Sequence, residues 1–179
     1  SNCFVVHHSN CKNCIVIDPG SENTQLIETA IDNKTVDFII LTHEHFDHIW
    51  GVDKIRDKYH TKLYCSDDTN KAIINKKKNL SLFYNQTGFE LRPAETILTD
   101  GQSIDWHGIE IFIISTPGHT PGSICIKIGA NLFTGDTIIK SVHTVTKLPG
   151  GNKKDLELSL QKLKAMNLEK LNLYCGHGE

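Results

Sequence analysis

The sequence predicts an α+β fold in which two β-sheets lie face to face and helices cover the outside. Segments typical of strands come in two groups along the chain, and segments typical of helices follow each group. Helices on the outer side of each sheet are one way of burying both sheet faces. With 179 residues, 39% of them hydrophobic, the chain can bury one sizeable core. We therefore expect a single domain over residues 1–179.

The first group opens with strands over residues 3–7 and 13–18 around a turn, which predicts a hairpin. Apolar residues at helical spacing predict a helix over residues 21–33, with Ser21 as its N-cap. Residues 38–41 are all apolar, as in a strand covered on both faces. The remaining elements of the group are a helix, a strand and a second helix, over residues 49–59, 62–65 and 69–75.

The second group contains three runs rich in β-forming residues, separated by Pro and Gly turns. These runs predict strands over residues 109–115, 123–128 and 131–134. A last amphipathic helix is predicted around Leu156, Leu160 and Leu163, and a last strand over residues 171–174. Residues 79–99, between the two groups, carry no pattern that assigns an element.

Composition favours a protein that acts on a small molecule. The 19 Lys and Arg against 21 Asp and Glu give a net charge of -2, so no positive field exists to hold nucleic acid. We find neither a membrane-spanning apolar run nor the regions of a signal peptide. Six scattered cysteines are typical of reduced thiols, which favours a cytoplasmic protein. Strand-like residues at the start and a motif at the end suggest a sequence trimmed at both termini; the oligomeric state is left open.

The strongest chemical signal is a motif at the junction between an apolar strand and a helix. It reads Thr42-His43-Glu44-His45-Phe46-Asp47-His48. In an extended segment His43 and His45 point to the same side, so two imidazoles can share one metal ion. Asp47 and His48, where the chain turns into the helix, can reach a second ion beside the first.

Three further residues repeat one pattern, a strand end that carries a nitrogen or oxygen ligand. His119 lies in a turn stiffened by two prolines, and Asp136 follows the apolar run that ends at Phe133. His177 lies between two glycines after the final strand. The repetition predicts that all three join the motif in one site. The other histidines are interpreted as ordinary surface or core residues: His7, His8, His60, His107 and His143.

These residues resemble those of the metallo-β-lactamase superfamily, and the phrases TPGHTPGS and LFTGD resemble its glyoxalase II (hydroxyacylglutathione hydrolase-like) branch. The resemblance implies a four-layer αββα sandwich with the site at one edge between the sheets. It also implies two divalent metal ions. His43, His45 and His119 would hold one ion, Asp47, His48 and His177 the other, and Asp136 would bridge them.

Such a centre would hydrolyse its substrate, because bound metal lowers the pKa of water to about 7 and polarises a carbonyl. Asp136 would keep the ions close, and Asp47 would orient the nucleophile, so we predict both as catalytic residues. Asp18 and Thr42 are predicted to form hydrogen bonds with ligand imidazoles. Zinc is the first choice of metal for this ligand set, with iron and manganese as alternatives.

The leading hypothesis is cleavage of a thioester or a related ester. The main alternative resembles the persulfide dioxygenases, which use a single iron, and a lactonase is less favoured. A relative that binds metal without catalysis is a third hypothesis, whereas a β-lactamase and a nuclease are disfavoured. The Gly-Arg pair that short glyoxalase II-like proteins usually carry is missing from residues 138–148, which leaves the acyl group and the thiol or alcohol undetermined.

Overall fold

A computed structural model describes residues 1–167 and 170–178. The strands of one sheet are β1 (Phe4–His7), β2 (Asn13–Ile17), β3 (Thr35–Ile40), β4 (Lys62–Ser66) and β5 (Thr96–Leu98). Those of the other are β6 (Ser103–Trp106), β7 (Ile109–Ser115), β8 (Ile124–Ile128), β9 (Asn131–Gly135) and β10 (Asn172–Cys175). The spatial orders are β1-β2-β3-β4-β5 and β10-β9-β8-β7-β6.

Strand direction differs between the sheets. In the first, β1 and β2 form the predicted antiparallel hairpin, and β2 to β5 run parallel. In the second, β6 to β9 are antiparallel, and β10 lies parallel to β9. As a result, the chain leaves β9 and β10 at the same edge of the second sheet.

The helices connect and cover these sheets. In the described residues they are α1 (Gln25–Ile31), α2 (Phe46–Ile49), α3 (Val52–Tyr59), α4 (Asp67–Ile73), α5 (Ser81–Asn85) and α6 (Lys153–Lys164). None of the described helices is long and apolar enough to cross a membrane.

Three apolar clusters separate four layers. Alternate residues of β2 enter different clusters: Val16 packs outward with the helical residues Ile31 and Ile55, whereas Ile15 faces the other sheet. On the outer side of the second sheet, Leu163 of α6 packs against strand residues. Because a fully buried aliphatic side chain contributes roughly 1.5–3 kcal/mol, burial on both faces makes the sheets the core of the molecule. The predicted αββα sandwich is confirmed.

Two helix predictions need correction near the site. The predicted N-cap Ser21 is wrong, because α1 begins at Gln25, whose backbone N–H donates to Asn23 Oδ1 at 3.1 Å. The helix predicted over residues 49–59 corresponds to α3, which begins at Val52, because Ile49 ends the separate helix α2 and the chain breaks at Trp50 and Gly51. The backbone of Gly51 packs so closely on the preceding turn that a Cβ there would lie 2.7 Å from the carbonyl oxygen of Ser21.

The stretch without a sequence pattern contains short elements. Helix α5 has five residues, β5 has three, and β6 is a further strand that the sequence pattern did not predict. Strand β5 pairs with β4, which is distant in sequence, whereas β6 forms a hairpin with the strand that follows it, β7. In α6, Leu160 is exposed and Ser159 takes a buried position, so the predicted apolar face is wrong at that residue.

Candidate metal centre

All seven predicted ligand residues come together where the ends of β3, β9 and β10 meet the β7–β8 connection. Two histidines follow β3 directly, the next two ligands lie in α2, and the remaining three follow β7, β9 and β10. In chain order they are His43, His45, Asp47, His48, His119, Asp136 and His177. The structure therefore places every member of the predicted set in one cluster.

The first group consists of His43, His45 and His119, which are all buried. One ligand atom from each lies within 4.8 Å of the others. The closest pair is His119 Nε2 and His45 Nδ1, at 2.9 Å. Three imidazole nitrogens this close can hold one cation.

The second group consists of Asp47, His48 and His177, whose ligand atoms also lie within 4.8 Å of one another. His177 Nε2 is 3.2 Å from Asp47 Oδ2 and 3.3 Å from His48 Nε2. His48 is fully buried, whereas the side chains of His177 and Asp47 are 40% and 31% exposed. This group therefore forms the solvent side of the centre.

Asp136 lies between the two groups. Its Oδ1 is 3.4 Å from His48 Nε2, and its Oδ2 is 3.5 Å from both His119 Nε2 and His177 Nε2. One carboxylate thus faces ligand atoms of both groups, which is the position that a bridging ligand needs.

Unpaired polar atoms in the cluster fit a metal centre. His43 Nε2, His45 Nε2 and Asp136 Oδ1 are buried and have no hydrogen-bond partner among the described residues. A buried polar atom left unpaired costs about 1–3 kcal/mol, so three such atoms in one cluster fit donors to a cation. A Cβ at Gly176 would lie 2.3 Å from Asp136 Oδ1, so the glycine leaves room for the carboxylate. Nitrogen and carboxylate donors suit zinc, iron and manganese.

The predicted support from Asp18 and Thr42 is confirmed. Asp18 Oδ2 is 2.9 Å from His48 Nδ1, and Asp18 also accepts the Thr42 backbone N–H and hydroxyl. Because the Thr42 hydroxyl has one proton and gives it to Asp18, it can only accept from His43 Nδ1, at 3.1 Å. His119 Nδ1 donates to the carbonyl oxygen of Val145 at 2.7 Å. These bonds leave Nε2 of all three rings as the atom that faces the site.

The first group is held ready to bind a cation. Burial lowers the pKa of His43 well below its usual range, and the surrounding imidazoles add to this. Burial likewise lowers the pKa of His45 to about 3 and lowers that of His119. All three rings are therefore neutral at pH 7, with lone pairs available.

Charge is distributed differently around His48. Burial opposes its protonation, but the carboxylates of Asp136 and Asp18 outweigh that effect and raise the pKa of the ring. Burial also opposes ionisation of Asp136, yet His48 and the neighbouring imidazoles lower the pKa of this carboxyl. The His48 ring and the Asp136 carboxyl thus favour a charged pair, and a cation at His48 would replace its Nε2 proton.

Glu44 is a buried site residue that sequence reasoning left without a role. It lies between His43 and His45, and its Oε2 accepts a hydrogen bond from the Thr120 hydroxyl at 2.8 Å. Burial raises the pKa of its carboxyl to about 7, although hydrogen bonds from Thr120 and Thr69 act the other way. Its position inside the motif was the only available signal, because its partners are distant in sequence.

The model of the metallo-beta-lactamase superfamily matches residues 1–177, so the chain belongs to that superfamily. Among its enzymes, hydroxyacylglutathione hydrolase of Aeromonas hydrophila is 31% identical over 179 residues, with 97% of this chain and 59% of that enzyme covered. The chain thus spans about three fifths of that relative. An uncharacterised protein of Aquifex aeolicus is also 31% identical, over 98% of this chain and 83% of that protein.

A probable zinc-dependent hydrolase of polyketide biosynthesis from Bacillus velezensis is 28% identical, over 98% of this chain and 72% of that protein. Among solved structures, the B3 metallo-beta-lactamase BLEG-1 has a TM-score of 0.91 and 29% identity, over 99% of this chain and 87% of the other. A second structure, of a protein in a di-iron-bound form, has a TM-score of 0.82, 24% identity and the same coverage. At that identity, the second likeness shows the fold alone.

Proposed function

We propose that this protein is a metal-dependent hydrolase whose dinuclear centre cleaves a thioester or a related ester of a small molecule. The observation that carries the proposal is the pair of three-residue groups with one carboxylate, Asp136, facing both. A mononuclear site would need only one of these groups. The likeness to hydroxyacylglutathione hydrolase supports the substrate class. Because that enzyme is longer than the matched region, the likeness leaves the specific substrate of this protein open.

Each group would hold one divalent cation. His43, His45 and His119 would hold the first, Asp47, His48 and His177 the second, and Asp136 would contact both. When bound, the metal supplies a water of lowered pKa and an electrophile for the carbonyl oxygen. Zinc is our first choice, in line with the name of the Bacillus velezensis relative, and iron is the alternative.

The chain's own residues orient the reaction. Hydrogen bonds at Nδ1 of His43, His48 and His119 fix these rings, so that only Nε2 faces the site. Asp47 stands at the solvent side of the centre, where its partly exposed carboxylate can accept a hydrogen bond from a water and hold it toward the substrate. Asp47 and Asp136 are therefore the residues to which we assign catalytic roles.

The test combines metal counting with turnover. We expect two metal ions per chain and hydrolysis of a hydroxyacyl thioester of glutathione that stops when a chelator removes the metal. His119→Ala removes one ligand and is expected to lower turnover by more than about 100-fold, since even partners of metal ligands contribute 10–100-fold. The matched control is His60→Asn, because His60 is exposed and has a left-handed backbone that Asn tolerates.

Two results would contradict the proposal. A protein that carries two metals but is inert towards thioesters, esters and lactones would refute the substrate class. One iron per chain with consumption of oxygen would instead support the oxygenase alternative.

A further inference from the structure

Glu44 makes unusual contacts for a buried carboxylate. It is 5% exposed, and no described residue forms an ion pair with it. Its Oε2 accepts a hydrogen bond from the Thr120 hydroxyl at 2.8 Å, and the Thr69 hydroxyl lies 3.4 Å from the same oxygen. A buried carboxylate without a cationic partner is costly, so packing alone would be served better by an apolar side chain.

The hydrogen bonds around Glu44 form a chain with a fixed direction. Thr120 gives its single hydroxyl proton to Glu44, so it can only accept from Ser123, whose Oγ is 3.0 Å away. The Ser123 oxygen in turn accepts the backbone N–H of Thr120 at 3.1 Å. The carboxylate thereby fixes the turn that immediately follows His119.

A second connection joins the same turn to α4. The Thr69 hydroxyl lies 3.2 Å from the carbonyl oxygen of Gly122, and the Ser66 hydroxyl donates to the same carbonyl at 2.7 Å. A Cβ at Gly122 would lie 2.4 Å from Thr69 Oγ1, so the turn and the helix are in close contact. Glu44 therefore lies where three segments meet: the loop of the Thr42–His48 motif (the motif loop), helix α4, and the turn that follows His119 (the His119 turn).

We propose that Glu44 is a positioning residue that holds the His119 turn against the motif loop and so sets the spacing of His43, His45 and His119. This inference rests on the proposed metal centre and deepens it. Among the described residues Glu44 forms no side-chain hydrogen bond with a ligand residue, and it acts through Thr120. The second group has separate support, since His48 is bonded to Asp18. The effect of Glu44 is therefore confined to one of the two cation positions.

Titration of the metal-free protein with Co²⁺, followed by visible absorption and calorimetry, tests this selectivity. His119→Ala and His177→Ala first identify which binding step belongs to which group. Glu44→Ala is expected to weaken the His119 step about 10–100-fold, the usual effect of losing a partner of a metal ligand, and to leave the His177 step unchanged. Glu44→Gln keeps an acceptor oxygen for Thr120 and is expected to restore the His119 step.

Two further variants distinguish a loss of positioning from a general loss of stability. Thr120→Val removes the connecting hydroxyl but keeps Glu44, and is expected to weaken the same step. Asp37→Asn is the matched control, because Asp37 is another carboxylate that accepts several hydrogen bonds. It precedes His43 by six residues, which separates it from the metal centre by roughly 20 Å of extended chain. It is expected to lower the melting temperature without changing either step.

Several outcomes would overturn the inference. Unchanged binding steps in folded Glu44→Ala and Thr120→Val proteins would do so, as would equal weakening of both steps, which a merely structural role produces. A wild-type protein that binds two Co²⁺ ions but hydrolyses no thioester would refute the substrate class and leave this inference standing. A wild-type protein that binds none would refute both.

Discussion

Gly135→Ala should separate Asp136 from its imidazole partners. Gly135 ends β9 with a φ of +48°, and a Cβ there would lie 2.3 Å from Thr42 Oγ1 and 2.6 Å from Thr42 Cβ. Thr42 cannot move away easily, because its N–H and hydroxyl donate to Asp18 and its carbonyl oxygen accepts from Ile124 N at 2.8 Å. The strand end, with Asp136 attached, has to shift instead.

Two costs add up in this variant. A left-handed conformation costs a residue with a Cβ about 1–2 kcal/mol. Forcing extra volume into a packed site costs about 1–3 kcal/mol more. The sum of about 2–5 kcal/mol is a large part of a typical stability of about 5–15 kcal/mol. For a chain of this size it corresponds to a fall in melting temperature of about 4–20 °C.

The assay compares thermal unfolding of the metal-free protein and its metal content after reconstitution. Gly129→Ala is the matched control, since Gly129 also has a positive φ, of +58°, but a Cβ there would meet no described atom within 4 Å outside its chain neighbours. We expect the control to lose only the stability that the left-handed backbone costs, about 1–2 kcal/mol, and to bind metal normally. Equal melting temperatures and equal metal content in the two variants would refute the reasoning.

Three further predictions concern charge and metal. Asp18→Asn is expected to weaken Co²⁺ binding about 10–100-fold in the same titration, because His48 loses its carboxylate partner. At Asp37 burial opposes ionisation, but hydrogen bonds, led by that from Trp106, lower the pKa. Its stabilisation is therefore complete above about pH 4 and lost as the pH falls through the lowered value, so Asp37→Asn should flatten acid unfolding curves below pH 4. Zn²⁺ at 100 times its dissociation constant should raise the melting temperature of the metal-free protein by about 5–11 °C, from about 2.7 kcal/mol of binding energy. Scanning calorimetry measures this rise, and an unchanged melting temperature would contradict the prediction.

The sequence predicted the fold best where burial is continuous. Residues 38–41 are apolar without interruption because β3 lies between two parallel strands and is covered on both sides. Helix boundaries were less predictable, since the break at Gly51 results from a contact with the turn at Ser21. The short strand β5 has no pattern of its own, because its pairing with β4 is what defines it.

For the site, the sequence identified residues but not the network that holds them. The ligands could be predicted because histidines and aspartates at strand ends are informative residue types. Asp18 could be proposed because it follows β2 at the same edge. Glu44 and Thr120 were missed because their contact joins positions 76 residues apart and hydroxyl groups are common everywhere. The hydrogen bond from His119 to the carbonyl oxygen of Val145 could not be predicted from the sequence, because every residue has a backbone carbonyl.

The strand order explains why ligands so distant in sequence meet. His48 and His177 are 129 residues apart, yet β9 and β10 run parallel, so Asp136 and His177 leave the second sheet at the same edge. The two sheets are joined there by the hydrogen bond from Ile124 N to the carbonyl oxygen of Thr42, immediately before His43. Each group of ligands therefore draws on both sheets, the first through His119 and the second through His177. It follows that a change that lets the sheets slide at this edge must disturb both cation positions. A change at Asp18 also affects both groups, because Asp18 bonds His48 directly and contacts His43 through Thr42, whereas a change at Glu44 acts mainly on the first.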